Sequence, residues 1–228
     1  MKEFVEVERH SKFVRVCHWG IVITCLFLTL TGIQLAFGVK IIDDAQALHI
    51  RLGFIFLGLW LLFSYFVLTE EWKWVSPRRL PYSIRFVIEE AIAWIKGGHV
   101  DDPRAYDPRR REYVEKLIPS QVLVFWAYVI LTVVVALTGL ALYDYEKFRI
   151  FADVSEPIAN MFGVTSYAFL RGLHRFAMYL YATLAVTHAY AATIFGTLGS
   201  MIHGKRKEKV TTESSERHVP AIAGAGGR

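Results

Sequence analysis

Residues 173–188 read LHRFAMYLYATLAVTH, an apolar segment with a histidine at each end, His174 and His188. On an α-helix this step of 14 residues rises about 21 Å and leaves the two side chains within about 40° of one face. Ionisable side chains are costly inside hydrocarbon, and those found there usually belong to a functional site. The stretch therefore predicts a membrane-spanning helix that carries site residues at two depths.

The rest of the chain supports a membrane protein. Of its 228 residues 54% are hydrophobic, and the apolar residues are gathered into long blocks. Each block holds roughly the 20 residues that cross ~30 Å of hydrocarbon as a helix, and none alternates as a barrel strand would. We therefore expect an all-α membrane protein, a four-transmembrane-helix bundle. The four predicted spans are residues 16–37, 48–68, 122–143 and 167–195.

Two further segments complete the predicted organisation. Between spans two and three, residues 80–97 place apolar side chains at helical spacing among charged ones, which predicts an interfacial cytoplasmic helix. Residues 1–204 are expected to form one four-helix domain, and residues 205–228 a basic, then disordered, cytoplasmic tail. No internal repeat is apparent.

The distribution of Lys and Arg predicts the orientation. Residues 1–15, 70–117 and 196–228 together carry 20, whereas the two other loops, 38–47 and 144–166, carry three. Because basic loops stay in the cytoplasm, both termini of this multi-pass membrane protein are expected there. This topology accounts for the net charge of +5, so nucleic-acid binding is not needed to explain it.

Four histidines pair by predicted depth. His18 begins span one at the cytoplasmic edge and shares its level with His188, whereas His49 begins span two at the outer edge and shares its level with His174. Imidazole is a common axial ligand of haem iron, and helices of a bundle can hold a macrocycle between them. The sequence therefore predicts two bis-histidine b-type haems. Covalent attachment is not expected, because the chain has no CxxCH motif.

Glycines and arginines near these histidines are the further candidates for haem binding. A flat macrocycle needs places where no side chain intrudes, and the glycines near the ligands are Gly32, Gly53 and Gly139. Arginine pairs with carboxylates such as the two that each haem carries. The arginines close to a predicted ligand are Arg15, Arg51, Arg171 and Arg175. Plain helix contacts and snorkelling to headgroups are the alternative roles.

Several stretches resemble the dihaem cytochrome b subunits that anchor respiratory formate dehydrogenases and nickel-iron hydrogenases. These stretches are RVCHWGIVITCLFLTLTGI, LHIRLGF, SQVLVFWAYVILTVVVALTGL, LHRFAMYLYATLAVTHAY and GTLGSMIHGK, within residues 12–205. The resemblance implies a location in a prokaryotic cell (inner) membrane. It also implies that an iron-sulfur subunit, with its catalytic subunit, docks on the outer face. Electrons would pass from the outer haem to the inner one and to a membrane quinone.

The same resemblance implies a quinone contact before span three. Gln121 matches one of the two residues that formate dehydrogenase anchors carry there, but Ile118 replaces the other, an asparagine. The chain would thus be an electron-transfer subunit, non-catalytic or quinone-reducing, of either complex type.

Two other protein classes remain open from the residues. A transporter or channel could use intramembrane histidine and arginine without haem, although neither inverted repeats nor paired broken helices are apparent. A di-iron membrane enzyme would carry histidines three or four residues apart, and no such cluster is present in the sequence. His10, His99 and His218, in polar segments, are expected to be solvated.

Overall fold

Four long helices form the body of the protein. The structure is a computed structural model and describes residues 4–211. In chain order its elements are β1 (Phe4–Glu8), α1 (Lys12–Phe37), α2 (Ala45–Glu70), α3 (Trp72–Val75), a 3-10 turn (Pro77–Arg79), α4 (Leu80–Ile95), β2 (Ala105–Asp107), β3 (Glu112–Glu115), α5 (Pro119–Tyr143), α6 (Arg149–Met161), α7 (Ser166–Ile194), α8 (Leu198–His203) and β4 (Lys205–Lys209).

Capping residues set the ends of the long helices. The Ser11 hydroxyl accepts a hydrogen bond from the Val14 N–H at the start of α1, and the Thr165 hydroxyl accepts one from the Ala168 N–H at the start of α7. Gly38 ends α1 in the left-handed conformation, with φ of 70°. Each of the four long helices begins before the corresponding predicted apolar block.

The long helices pair as two hairpins. α1 packs along α2, and α5 packs along α7. A buried core joins the two hairpins at mid-height, because Ile21, Phe56, Trp60 and Tyr181 meet there. The Trp60 indole N–H donates a hydrogen bond of 2.8 Å to the Tyr181 hydroxyl within this core. The hairpins therefore face one another across a layer of aromatic side chains.

Three of the long helices have the length and composition of membrane spans. Within residues 4–211 these are α1, α2 and α5, and few of their residues are buried inside the protein. α7 is a continuous helix of 29 residues, but its arginines, histidines and threonines make it less apolar than the other three. A helical membrane protein is thus supported, and the fourth predicted span stays a prediction.

The segment predicted to be an interfacial helix is helical. α4 packs against α5 and buries Ser83 and Phe86 there. Its apolar residues Ile84, Ile88 and Ile95 are exposed on the opposite side. The helix therefore carries an apolar face that the other residues of 4–211 do not cover.

Short strands form a structure that we call the β cap, consisting of β1, β2, β3 and β4. β1 pairs antiparallel with β4, so that Glu6 lies opposite Lys207 and Glu8 opposite Lys205. β2 pairs with β3, and Tyr106 bridges to Val210. Opposite charges on facing positions stabilise such pairs. Residues 205–209, expected to begin the basic tail, are thus an ordered strand, and the tail from residue 212 lies outside the described residues.

An additional helix, α6, lies in the loop between α5 and α7. It packs its small residues Ala152, Ser155 and Ala159 against its neighbours and exposes Ile150, Val154 and Met161. The sequence analysis treated this segment, within residues 144–166, only as a loop. The chain reverses between the two helices of the second hairpin through this amphipathic helix.

Candidate functional site

The four predicted ligand histidines meet in the two predicted pairs. The ring centroids of His49 and His174 are 6.3 Å apart with a 71° angle between the ring planes. Those of His18 and His188 are 6.4 Å apart at 53°. α2 and α7 supply the first pair, and α1 and α7 supply the second. We call these the 49/174 pair and the 18/188 pair.

The separation within each pair fits a metal ion between two imidazoles. A metal–histidine nitrogen bond is about 2 Å long, so a metal held by one nitrogen from each ring separates the centroids by roughly 6 Å. Both observed separations, 6.3 Å and 6.4 Å, agree with this value. The rings in each pair are also steeply inclined to each other, so they do not stack. The geometry therefore suits two facing axial ligands.

A cavity of about 460 Å³ surrounds the 49/174 pair. This volume lies within the range of cofactor pockets, and its walls are mostly apolar. All four long helices contribute to it. Its lining includes the two histidines, three glycines, two arginines and one tyrosine, namely Gly32, His49, Gly53, Gly139, Arg171, His174, Arg175 and Tyr181.

Two of the predicted glycines allow close approach of the imidazoles. A Cβ atom at Gly139 would lie 3.3 Å from Cε1 of His174, and one at Gly32 would lie 3.5 Å from Cε1 of His49. A Cβ at Gly53 would meet nothing within 4 Å, although this residue also lines the cavity. Any side chain larger than alanine at Gly32 or Gly139 would thus compete with a ligand ring.

Two threonines that the sequence analysis did not single out contact the 49/174 pair. The hydroxyl oxygen of Thr31 lies 2.8 Å from Nδ1 of His49, and that of Thr138 lies 2.8 Å from Nδ1 of His174. Each threonine directly precedes one of the close glycines. A signal for them exists in the sequence, because LTG occurs at residues 30–32 and again at 137–139.

The 18/188 pair has different surroundings. Nδ1 of His18 is buried and has no hydrogen-bond partner among the described residues. Trp19 lies edge-on to the His18 ring at 5.6 Å, and Tyr128 lies edge-on to the His188 ring at 6.0 Å. The indole N–H of Trp19 donates to the Met201 carbonyl. Each ring of this pair therefore contacts an aromatic side chain, and within residues 4–211 neither has the threonine contact found in the other pair.

Aromatic side chains fill the space between the two pairs. Tyr181 lies midway between His174 and His188 on α7 and lines the cavity of the 49/174 pair. Its ring is 4.9 Å from that of Tyr128, which in turn touches His188. The two histidine pairs are thus connected through packed aromatic rings.

The predicted arginines fall into two groups. Arg171 and Arg175 line the cavity of the 49/174 pair, and Arg175 also donates to the Ala36 carbonyl. Arg51 is exposed and does not line that cavity. Arg15 donates to the Ile202 carbonyl at 2.6 Å, which joins the start of α1 to the end of α8. Only the first two therefore lie where they could meet a ligand of this cavity.

Gln121 contributes to the start of α5. Its side-chain oxygen accepts a hydrogen bond of 3.3 Å from the Ile118 N–H, and Ile118 itself is only 1% exposed. This contact occupies the carbonyl side of the Gln121 amide.

His10 differs from its expected environment. It is half-buried just before the start of α1, and its backbone N–H donates a hydrogen bond to the Gly204 carbonyl. Burial, with the positive charge of Arg9 second, lowers the pKa of His10 from 6.5 to about 3. The expectation that His10 is solvated was therefore wrong, whereas His99 is exposed as expected, beside Glu90. Within residues 4–211 no group of three or more His, Cys, Asp or Glu side chains could hold a metal ion.

Comparison with known proteins identifies the family. The family model described as prokaryotic cytochrome b561 matches residues 9–204, which is most of the chain and includes all four paired histidines. A search of curated proteins finds no match. The chain belongs to the prokaryotic cytochrome b561 family, whose members are helical membrane proteins that bind b-type haem and take part in electron transfer.

Proposed function

We propose that the chain carries electrons across a membrane through two b-type haems, one held by each histidine pair. The observation that carries this proposal is the pair of centroid separations, 6.3 Å and 6.4 Å, each of which suits iron between two imidazoles. When bound, haem supplies reversible one-electron chemistry at its iron. The protein's own residues supply ligation, orientation and the exclusion of water.

The residues around the 49/174 pair suit one of these haems. His49 and His174 would ligate the iron, and Gly32 and Gly139 leave space beside the ligand rings. Arg171 and Arg175 lie in the wall of the same cavity, where they could pair with haem carboxylates. The apolar remainder of the wall would keep water out.

The distance between the pairs suits direct tunnelling. The 14-residue step along α7 corresponds to about 21 Å between the two ligand levels, and two macrocycles would span much of that gap. The rings of Tyr128 and Tyr181 pack against each other between the two levels, and Tyr128 contacts His188. Electrons could then cross without a moving part.

The topology gives the transfer a direction in space. With α7 as the fourth span and both termini in the cytoplasm, the 49/174 pair lies near the outer face and the 18/188 pair near the cytoplasmic face. The bias of 20 basic residues against three supports this orientation. α4, with its exposed apolar face, would then lie in the cytoplasmic interface. A reporter fused after residue 205 should be active only in the cytoplasm, and one inserted between residues 144 and 166 only outside.

The partners follow from the same orientation. An iron-sulfur subunit, joined to a catalytic subunit of the formate dehydrogenase or hydrogenase type, would dock on the outer face and reduce the haem of the 49/174 pair. A quinone would accept electrons near the 18/188 pair. The Gln121 amide N–H₂ group remains able to donate to a quinone oxygen, since only its carbonyl is engaged with Ile118.

A reduced-minus-oxidised optical spectrum of the purified chain tests the proposal. Two haems per chain by pyridine haemochrome counting, with a b-type α-band, are expected. A chain that carries no haem would refute it and would favour the alternative, a transporter or channel that uses its intramembrane histidines and arginines directly. One haem per chain would refute the two-centre route.

A further inference from the structure

We infer that Thr31 and Thr138 are positioning residues that fix the proton location and ring orientation of His49 and His174, and thereby lower the reduction potential of the haem held there. This inference rests on the proposed function. It concerns only the difference between the two centres, which a count of haems does not address.

The donors and acceptors at the two threonines assign the proton. The Thr31 hydroxyl lies 2.8 Å from the Phe27 carbonyl, and the Thr138 hydroxyl lies 2.6 Å from the Val134 carbonyl. A hydroxyl has one proton, and a carbonyl can only accept it. The hydroxyl oxygen is thus left to accept the Nδ1–H of the histidine, and the lone pair of Nε2 is free for a metal.

The arrangement occurs twice with the same sequence. In each hairpin one helix carries a Thr–Gly step and the other carries the histidine, so Thr31–Gly32 faces His49 and Thr138–Gly139 faces His174. The glycine lets the ring approach, and the threonine fixes its rotation. Both threonines are deeply buried, at 0% and 3% exposed, so water does not compete for these hydrogen bonds.

The same helices provide threonines without this contact. The Thr24 hydroxyl is also buried and donates to the Gly20 carbonyl at 2.7 Å, but it has no hydrogen bond to a histidine. A backbone-directed hydroxyl is therefore an ordinary feature of these helices, whereas the contact to Nδ1 is specific to Thr31 and Thr138.

The hydrogen bond has an electronic consequence. An acceptor at Nδ1 increases the basicity of Nε2, which stabilises ferric more than ferrous iron. The haem of the 49/174 pair should therefore be harder to reduce than it would be without the threonines. Nδ1 of His18 has no corresponding partner in residues 4–211, so this effect is confined to one centre.

The test replaces the hydroxyl and keeps the shape. In the full-length protein the test variants are Thr31→Val, Thr138→Val and the double valine variant. A double serine variant, Thr31→Ser plus Thr138→Ser, keeps the hydroxyl oxygen that accepts the hydrogen bond, and Thr24→Val is the control for loss of a hydroxyl elsewhere. Redox titration followed by optical spectroscopy, and the EPR signal of the ferric low-spin haems, report each centre separately.

In the double valine variant, the reduced-to-oxidised ratio of the 49/174 haem at a fixed solution potential should rise about tenfold. Its EPR signal should shift, because that signal depends on the relative orientation of the axial rings. The 18/188 haem, the serine variant and Thr24→Val should match wild type. An unchanged potential and EPR signal in a double valine variant that binds two haems would overturn the inference.

Loss of haem gives equally clear results. If the valine variants lose the 49/174 haem and the serine variant keeps it at the wild-type potential, the hydroxyl is needed to position the ligand rings, which supports that part of the inference. If both sets lose it, packing of the methyl group is the cause and the inference is wrong. A wild-type protein without two haems refutes the proposed function instead, and thus the two failures are distinguishable.

Discussion

The two histidine pairs have nearly equal ring separations, but different parts of the molecule hold them in place. The 49/174 pair lies inside the helix bundle, where Thr31 and Thr138 contact the ligand rings and a glycine-lined cavity adjoins them. The 18/188 pair contacts aromatic rings, and Nδ1 of His18 has no hydrogen-bond partner in the described part of the chain. Identical ligands are thus placed in unequal environments.

Near the second pair, backbone hydrogen bonds join the segment that follows β1 to the residue that precedes β4. The N–H groups of Arg9 and His10 donate to the Gly204 carbonyl at 2.7 Å and 3.1 Å, and this ties the start of α1 to the end of α8. His18 follows on the same helix less than two turns after its first residue, Lys12. Side-chain hydroxyls within the bundle thus contact one pair, whereas the other pair lies close to the junction of α1 and α8.

Replacing the ligands should give the largest effect. Because each alanine removes one of two axial ligands, His49→Ala should lose the 49/174 haem and His188→Ala the 18/188 haem, with about one haem retained in each. In the native complex, His188→Ala should still accept electrons from the outer donor, but quinone reduction should fall by orders of magnitude. Haem content, donor-driven haem reduction and quinone turnover would be measured on one preparation. His99→Ala, at an exposed histidine, is the control. Two retained haems in both ligand variants would refute the pairing.

Glycine replacement should remove one haem selectively. Gly139→Leu places a side chain where a Cβ alone would lie 3.3 Å from His174, so the 49/174 haem should be lost and the 18/188 haem kept. Gly58→Leu is the matched control, since a Cβ at Gly58 meets nothing within 4 Å. Pyridine haemochrome counting and low-temperature spectra measure both. Retention of both haems in Gly139→Leu would show that the cavity does not hold the cofactor.

The sequence predicted the histidine pairing because depth in a membrane follows from position along a span. Helix rise alone predicts that His18 lies level with His188 and His49 with His174, and the rings of each pair are neighbours in the structure. Their depth in the membrane stays a prediction. Rotation about the helix axis is harder to predict, because it depends on how neighbouring helices pack. Arg51, for example, lies two residues after His49, but its side chain is not part of the cavity wall.

Other features were missed for reasons that are physical. The sequence repeats LTG, but it does not show that these threonines contact the histidines, because that depends on which helix packs against which. β1 shows the two-residue alternation of a strand in FVEVE, but its partner lies about 200 residues away in a segment that composition alone suggests is unstructured. α6 is short and amphipathic, so it carries no span-like signal.

Breaking the β cap should affect the 18/188 pair more than the 49/174 pair. Arg9 and Glu208 form an ion pair at 2.5 Å with side chains only 1% and 0% exposed. Glu208→Gln leaves a buried arginine without its charge partner, which typically costs about 3–5 kcal/mol. Thermal unfolding and proteolysis around residues 204–210 should show the loss, with spectral broadening of the 18/188 haem alone.

An exposed pair in the same sheet provides the control for this variant. Glu6 and Lys205 are 3.7 Å apart, with side chains 56% and 66% exposed. Because exposed ion pairs contribute about 0–1 kcal/mol, Glu6→Gln should change little. Equal effects of Glu6→Gln and Glu208→Gln would mean that the buried pair does not anchor the β cap.

The pH dependence of the β cap should give the smallest effect. The pKa of His10 is lowered from 6.5 to about 3, so below pH 6.5 the unfolded chain binds a proton that the folded chain does not bind until about pH 3. The free energy of unfolding therefore falls as pH falls through this window and is unaffected by His10 above it. Because one pKa unit corresponds to about 1.4 kcal/mol, the loss between pH 6.5 and pH 5 is at most about 2 kcal/mol.

Comparison with a variant isolates this contribution from the other titrating groups. The thermal midpoint of the purified holoprotein would be measured at pH 7 and pH 5 for wild type, for His10→Asn and for His203→Asn, an exposed histidine at the end of α8. Wild type and His203→Asn should lose stability on acidification, whereas His10→Asn should lose less, because its side chain cannot be protonated. The difference should appear also in proteolysis at residues 204–210, since His10 contacts Gly204 there. If the thermal midpoint of wild type and of His10→Asn falls equally between pH 7 and pH 5, protonation of His10 does not contribute to the loss of stability.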